Sequence, residues 1–457
     1  MNRRQCWVVF VIVALVPVSV SAQWQRRNLG SLVTAWSVSA ADLDGDSDID
    51  VAATGWNPGE LAWFRNNGTS FTKVTIEAPM YRPRAIFLAD LNRDSDIDIL
   101  TVTDDAEDQV FRFDNNGSAS FTRYTVGSLN DGEDVFAVDL DKDSDVDVVA
   151  AALWGYEVAW FENNGSQVFT KHGIETTTAP VYAVWPVDLD RDSDIDIISG
   201  IGLNGAGVWW YENDGSQTFT KRMIDAGTPL NDVWPGDIDG DGDIDFFTAA
   251  IFGDAFFWYE NDGSQGFTKH MIAAGANPIS IYGADFDGDS DVDAVGTELV
   301  EGKVVLFYND GNENFARVVL DNTVYMPAEV FVVDLDRDSD PDVLAAIDGD
   351  DIVLWYENLR PSGSSEPPHR AGPELVSSAT FVRDRICIRL AAGLERPGSI
   401  RLCDRLGRKL CEQTVPAGET EVVLEGVATG QLGAGVYFLE LGLAGSGRGR
   451  RLKLVRF

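Results

Sequence analysis

The chain has 457 residues, with 74 acidic against 35 basic side chains, a formal net charge of −39, three histidines and four cysteines. That charge excludes nucleic acid and anionic membrane surfaces as partners, and so few histidines and cysteines remove most nucleophile–histidine and zinc chemistry. The length suits one large domain with a smaller second one.

In chain order, residues 1–22 come first. Arg3 and Arg4 precede an apolar run from Cys6 to Val20, and the small residues Ser21 and Ala22 stand before Gln23. This is the pattern of a secretory signal peptide, and the run is short for a membrane span; a retained anchor is the alternative. No later stretch is apolar enough to cross a bilayer, so no transmembrane segment is expected after signal removal.

An acidic ten-residue stretch then recurs seven times. It reads DLDGDSDIDV from Asp42, DLNRDSDIDI from Asp90, DLDKDSDVDV from Asp139, DLDRDSDIDI from Asp188, DIDGDGDIDF from Asp237, DFDGDSDVDA from Asp285 and DLDRDSDPDV from Asp334. The steps of 48 or 49 residues mark one supersecondary unit repeated seven times. Acids at positions 1, 3 and 5 of a tight turn converge on one point, position 7 offers its backbone carbonyl, and the acid at position 9 closes the shell. Such an all-oxygen set suits Ca²⁺.

The expected ligands are Asp42, Asp44, Asp46, Asp48 and Asp50 in the first loop, and Asp90, Asn92, Asp94, Asp96 and Asp98 in the second. They continue with Asp139, Asp141, Asp143, Asp145 and Asp147; Asp188, Asp190, Asp192, Asp194 and Asp196; and Asp237, Asp239, Asp241, Asp243 and Asp245. The last two sets are Asp285, Asp287, Asp289, Asp291 and Asp293, and Asp334, Asp336, Asp338, Asp340 and Asp342. The loops hold 34 of the 74 acids, so up to seven structural calcium ions would bring the charge of −39 to about −25. An EF-hand is excluded, because position 12 is Ala53, Thr101, Ala150, Ser199, Thr248, Gly296 or Ala345 where that motif needs glutamate.

Around each loop the unit repeats four strand patterns. An apolar strand such as Val181 to Val187 enters the loop and a β-branched one leaves it. A third carries an aromatic pair in five units: Trp63-Phe64, Trp160-Phe161, Trp210-Tyr211, Trp258-Tyr259 and Trp355-Tyr356. Recurrence at one strand position favours packing between repeats over sugar platforms. A turn follows (Asn67-Gly68, Asn116-Gly117, Asn164-Gly165, Asp214-Gly215, Asp262-Gly263, Asp310-Gly311), and then an F-T-K strand such as Phe71-Thr72-Lys73. The last unit stops at Asn358 without that strand, whereas Trp24-Gln25-Arg26-Arg27-Asn28-Leu29 aligns with it, so the N-terminal segment is expected to complete the seventh unit.

Residues 359–374 are a Pro/Ser/Gly linker. Short strands are expected beyond it at 379–390, 399–402, 420–424 and 435–441. A hairpin centred on Gly407 would set Cys403 opposite Cys411, as a disulfide or as two buried thiols.

The loops, their spacing and the surrounding strands resemble the FG-GAP/VCBS repeat family, which includes the integrin α-subunit propeller, over residues 24–358. The resemblance implies an all-β fold, a seven-bladed β-propeller over 23–358, with each acidic loop joining the innermost strand of a blade to the second. The family has glycine at position 6, which only Gly242 keeps; serine stands in the other six loops. With Asn92 removing one ligand charge, the 237 loop is expected to bind most tightly and the 90 loop least. Residues 375–457 resemble the immunoglobulin-like sorting domain of type IX secretion, through Leu406-Gly407-Arg408, Leu432 to Phe438 and Lys453-Leu454-Val455. This implies a small C-terminal immunoglobulin-like β-sandwich that engages secretion machinery; a generic β-sandwich is the alternative.

The reading is a secreted or bacterial cell-surface protein, a binding or adhesion module for a glycan or protein ligand. The ligand is expected on the face opposite the calcium loops, which carries Trp56, Tyr81, Arg82, Arg84, Asp104, Asp105, Trp154, Tyr156, Asp232, Phe252, Asp254, Tyr325 and Asp348. No catalytic residue stands out. The alternative is a calcium-dependent carbohydrate-active enzyme of polysaccharide-lyase type, which a cluster of Arg, Tyr and carboxylate at the axis would favour.

Overall fold

The computed structural model describes residues 23–360 apart from 105–106, 119 and 203–205, and beyond them the strand backbones between Ser378 and Arg456. The expected leader and the linker from 361 onward lie outside the described residues. The chain divides into two compact units, each taken by itself.

The larger unit is a ring of seven four-stranded antiparallel sheets. In the first blade the chain runs Ala35–Ala41, Asp50–Gly55, Glu60–Asn66 and Phe71–Glu77, from the axis outward. Each innermost strand ends at an acidic loop. These loops therefore share one end of the ring, while the turns between second and third strands and the links between blades share the other. The seventh blade comprises Pro327–Val333, Asp342–Ile347, Ile352–Asn358 and, outermost, the N-terminal strand Trp24–Ser31. Trp24 pairs with Asn358 and Arg27 with Trp355, as His172 pairs with Trp160 in the third blade, so the N-terminal strand stands where the F-T-K strand stands elsewhere.

The aromatic pairs hold neighbouring blades together, because consecutive residues of a strand point to opposite faces of the sheet. Trp63 packs with Ile86, Ile99 and Phe111 of the second blade, while Phe64 packs with Leu335, Leu344 and Trp355 of the seventh. The same division recurs at Trp160 and Phe161, Trp210 and Tyr211, Trp258 and Tyr259, and Trp355 and Tyr356. Each of these five blades contributes to two interfaces with one dipeptide.

At the axis each innermost strand has a free edge, whose N–H groups need acceptors. Five side chains, all five residues ahead of their loops, serve seven N–H groups. Ser37 accepts from Ile86, Ser280 from Val330, and Glu329 from Val38, each in the next blade, at 3.1, 3.3 and 2.7 Å. Alanine occupies this place in the second and fourth blades (Ala85 and Ala183). There the following blade supplies an aspartate that accepts twice: Asp134 from Val135 and Val184 at 2.9 and 3.0 Å, and Asp232 from Val233 and Ile281 at 2.8 and 2.9 Å. Two residues nearer the loops, Phe87, Phe136, Trp185, Trp234, Tyr282 and Phe331 line the axis, with ring centroids 4.7–5.8 Å apart in the contacting pairs.

The smaller unit has one sheet of Ser378–Val382, Arg385–Arg389 and Glu421–Glu425, and another of Lys409–Val415, Gly398–Asp404, Gly435–Leu443 and Gly449–Arg456. The single strand expected at 379–390 is a hairpin, and 409–415 and 449–456 are additional strands. The expected opposition of Cys403 and Cys411 does not hold. A register shift pairs Cys411 with Leu402 and Cys403 with Lys409, leaving Leu410 as an extra residue between the two pairs.

Deleting residues 23–29 removes most of the outermost strand of the seventh blade, the buried Trp24 and Leu29, and with them the cover on the edge of Ile352–Asn358. The truncated protein is expected to aggregate or melt without cooperativity, as read by size-exclusion chromatography and circular dichroism. A monomeric truncation with the parent melting temperature would contradict the closure.

Candidate functional site

The acid at position 9 is the fixed point of each loop. Asp50 is fully buried, and its two carboxylate oxygens accept from the N–H of Leu43 at position 2 and of Asn66 at the end of the third strand, at 3.1 and 2.7 Å. Both bonds recur in all seven loops, at 2.9–3.2 Å to position 2 and 2.7–2.8 Å to the asparagine. Burial pushes these carboxyls up: Asp50 to about 6, Asp98, Asp147, Asp196, Asp245 and Asp342 to about 7, and Asp293 to about 9. A nearby cation favours the charged form and would oppose that shift.

The asparagine itself was missed in the sequence, although Asn66, Asn115, Asn163, Asn213, Asn261, Asn309 and Asn358 close every third strand. Its Nδ2 donates to the position-8 carbonyl of its own loop. In four blades it also donates to the position-2 carbonyl of the preceding blade's loop, as Asn115 does to Leu43 at 2.7 Å.

Three acids converge in each of five loops, from positions 1, 3 and 9 in the 42, 139 and 237 loops and from positions 1, 3 and 5 in the 188 and 285 loops. One oxygen from each of Asp42, Asp44 and Asp50 lies within 4.8 Å of the others, and the same holds for Asp139, Asp141 and Asp147; Asp188, Asp190 and Asp192; Asp237, Asp239 and Asp245; and Asp285, Asp287 and Asp289. Backbone N–H groups fold the turn onto these carboxylates: Asp42 accepts from Gly45 and Ser47, Asp44 from Asp46, and Asp46 from Asp48. The 90 and 334 loops keep the same turn, Ser95 donating to Asp90 and Ser339 to Asp334. Oδ1 of Asp139, Asp188 and Asp334 is buried without a hydrogen-bond partner. Buried, unsatisfied position-1 oxygens within a cluster of hard oxygen donors fit a bound divalent cation, which would satisfy them.

Two positions per loop adopt left-handed backbone. At position 6 the six serines have φ of 75–80° and Gly242 has 98°. At position 4, which the sequence reading passed over, Gly45, Gly240 and Gly288 have φ of 74–78°, and Arg93, Lys142, Arg191 and Arg337 have 61–63°. A side chain in this region costs about 1 kcal/mol relative to glycine. The 237 loop, with glycine at both positions, therefore carries least strain. The side chain of position 7 lies against the turn glycine of its own blade. A Cβ on Gly117, Gly165, Gly215, Gly263 or Gly311 would meet that carboxylate at 2.3–2.6 Å, so glycine is required there by space as well as by its positive φ.

At the opposite end of the ring, Glu133, Asp134, Asp232, Glu329, Trp36 and Tyr182 line an axial cavity of about 70 Å³. Arg84 lies beside it. Its Nε lies 3.1 Å from Asp104 and 3.5 Å from Glu133, and its guanidinium stacks over Trp36 and Trp56 at 4.8 and 5.3 Å. Arg82 covers Trp56 at 4.8 Å, and the Trp56 indole N–H donates to Asp104. Burial pushes Asp134 and Glu329 up to about 8 and Asp232 to about 6. It also raises Tyr182, with Glu133 adding to the effect. Around this mouth Tyr81, Trp154, Phe252 and Tyr325 are 48–61% exposed. Trp154 packs edge-on to Tyr156, and Phe252 edge-on to Tyr182. Asp254 instead accepts from the backbone of Asn277 as a turn cap. Asp348 lies near enough to Arg84 to feel its charge, and Asp105 lies outside the described residues.

With this geometry in view, the family described as the FG-GAP-like repeat matches residues 42–101, 90–150, 139–199, 188–248 and 237–296, together more than half of the chain. No curated protein matches by sequence. A chain of the crystal structure of BBS1N in complex with ARL6DN, soaked with lead, superposes with a TM-score of 0.54 at 10% identity, over 75% of this chain and 99% of that one. PorZ, titled an essential bacterial surface component of the type-IX secretion system of human oral-microbiomic Porphyromonas gingivalis, gives a TM-score of 0.47 at 14% identity, over 89% of this chain and 58% of that one. The first of these likenesses, at 10% identity, speaks to fold alone.

The axial acids set a pH dependence of definite sign. Their folded-state pKa values lie above the ordinary carboxylate range, so the folded state binds more protons than the unfolded, and stability falls as pH rises toward about 8. Glu329→Gln keeps an acceptor for Val38 and removes the charge. At saturating calcium the variant is expected to match the parent near pH 6 and exceed it at pH 9 by on the order of 1 kcal/mol, measured by denaturant melts. Parallel stability curves for the two proteins would contradict this.

Proposed function

This chain belongs to the FG-GAP-like repeat family, and on that premise we propose that it is a secreted, surface-displayed, calcium-stabilised β-propeller. It binds a glycan or protein ligand on the face opposite its acidic loops. Calcium in the seven loops is structural, holding together acids that otherwise repel one another. Export would place those loops where calcium is typically millimolar, enough for weak sites to fill. The C-terminal unit, through the tail motifs noted above and its two antiparallel sheets, acts as an immunoglobulin-like sorting domain engaging secretion machinery.

The observation that carries the binding role is the ring of exposed aromatics. Tyr81, Trp154, Phe252 and Tyr325 stand about half exposed or more in turns of one end of the propeller, around an acid-lined depression. Exposed aromatics clustered beside polar groups mark a contact surface, whereas single ones do not.

Arg84, Tyr182 and Glu133 do converge on the axis, the arrangement that favours the polysaccharide-lyase alternative. Three features weigh against it. The Tyr182 hydroxyl is shifted away from serving as a base near neutral pH. The surrounding acids would repel a uronate, and a cavity of about 70 Å³ is well below the size that holds a sugar-sized ligand.

Alanine at Trp154, Phe252 and Tyr325 together is expected to leave the melting temperature within about 2 °C, these side chains being exposed. It should lower retention by a panel of immobilised polysaccharides and candidate protein ligands at least tenfold, while Met271→Ala on an outer strand changes neither. Undiminished retention by the triple variant would overturn the assignment of the face. New unsaturated ends in the incubated polysaccharides would instead favour the enzyme.

A further inference from the structure

At the acidic end of the ring, in three consecutive loops, position 4 reaches position 7 of the next. Nη1 of Arg93 in the 90 loop lies 3.1 Å from Oδ1 of Asp145 in the 139 loop. Lys142 of that loop pairs with Asp194 of the 188 loop. Arg191 of that loop lies 3.2 Å from Oδ1 of Asp243 in the 237 loop. The series ends there, because position 4 of the 237 loop is Gly240, and Gly45 and Gly288 likewise have no side chain to extend. In the last loop Asp340 is paired at 2.7 Å with Arg360, whose guanidinium fills the space over Gly288, where a Cβ would meet Nη1 at 1.8 Å.

Both ends of each bridge belong to the expected ligand segments. Position 4 lies between the acids at positions 3 and 5, so its backbone becomes fixed when those carboxylates close on a cation. Arg93, Lys142 and Arg191 hold φ of 61–63°, a conformation that glycine, as at Gly45 and Gly240, adopts without strain. Position 7 is the residue whose carbonyl is the expected fourth ligand. Its N–H already bonds the position-5 carboxylate: Asp145 to Asp143, Asp194 to Asp192 and Asp243 to Asp241, at 2.7–2.8 Å. A bridge thus ties the central segment of one loop to the closing segment of the next.

We propose that these ion pairs couple cation binding in the 90, 139, 188 and 237 loops into a chain of neighbours, in which the ordering of each loop raises the affinity of the loop it is bridged to, and the reverse by the same factor. This rests on the calcium reading above. The basic side chains are 47–49% exposed and their partners 19–25%. Such pairs are worth about a two- to fivefold change in affinity each. The 285 loop, following Gly240, loads independently of the chain.

The test is hydrogen exchange of the full chain at graded calcium, followed by mass spectrometry of peptides covering the 90, 139 and 285 loops, in the parent and in Arg93→Gly. Loss of a positive charge beside two cation sites would, by simple Coulomb attraction, tighten both. Coupling predicts a split response. The 90 loop becomes protected at the same or lower calcium, because glycine relieves its backbone; the 139 loop needs about two- to fivefold more; and the 285 loop is unchanged. Arg93→Gln, which keeps a side chain but not the charge, should give the same displacement at the 139 loop. A 139 midpoint that stays or falls in both variants overturns the coupling while leaving calcium binding intact. Calcium that protects no loop of the parent overturns the calcium reading and this inference with it.

Discussion

A buried carboxylate with both oxygens bonded to backbone N–H groups organises this propeller, and it does so seven times. The position-9 aspartate sits with no exposure between the start of its loop and the end of the third strand. An ionised group in such a place is tolerated only where hydrogen bonds and opposite charge compensate the lost water. The bonds to Leu43 and Asn66, and their six counterparts, give part of that compensation, and a divalent cation in the loop would give the rest. Because the asparagine also reaches the preceding blade's loop in four places, the same group that shapes a loop also holds adjacent blades in register.

The second constraint is that a ring of sheets has edges on the inside as well as the outside. The outer edge of the seventh blade is covered by the N-terminal strand, with the Arg27 guanidinium over Trp355 and bonded to Glu357, as Arg222 stands over Trp210 with Glu212. The inner edges are capped by side chains that cross from blade to blade, and three of the five are acids. The axis is therefore acidic at the end away from the loops and aromatic toward them, a consequence of satisfying backbone N–H groups before any function is considered. The proposed ligand face is built on that ring of acids, which biases it toward neutral or cationic chemistry.

The period, the loops, the blade count and the N-terminal closure were legible because each depends on side-chain identity at fixed spacing. Carboxylates two residues apart have few structural uses, and Trp24 to Leu29 resembles the F-T-K strand by composition alone. What was not legible depends on backbone atoms or on compensation between positions. The acceptors at the inner edge are Ser, Asp or Glu, with Ala85 and Ala183 covered by the aspartate of the following blade, so no motif survives. The left-handed backbone at Arg93, Lys142, Arg191 and Arg337 contradicts residue preference and follows from the turn that every loop makes, with glycine at the same place in the other three. The displacement of Cys403 from Cys411 comes from a register shift that symmetric counting about Gly407 does not reveal.

The proposed calcium ions would be the counter-charge that offsets repulsion among these clustered carboxylates. Thermal unfolding of the full chain followed by circular dichroism, in millimolar calcium and again in excess chelator at the same ionic strength, tests this most directly. Filled sites stabilise only the folded state, and several of them act together, so chelation is expected to lower the melting temperature by at least about 10 °C. Equal melting temperatures in calcium and in chelator would contradict the account.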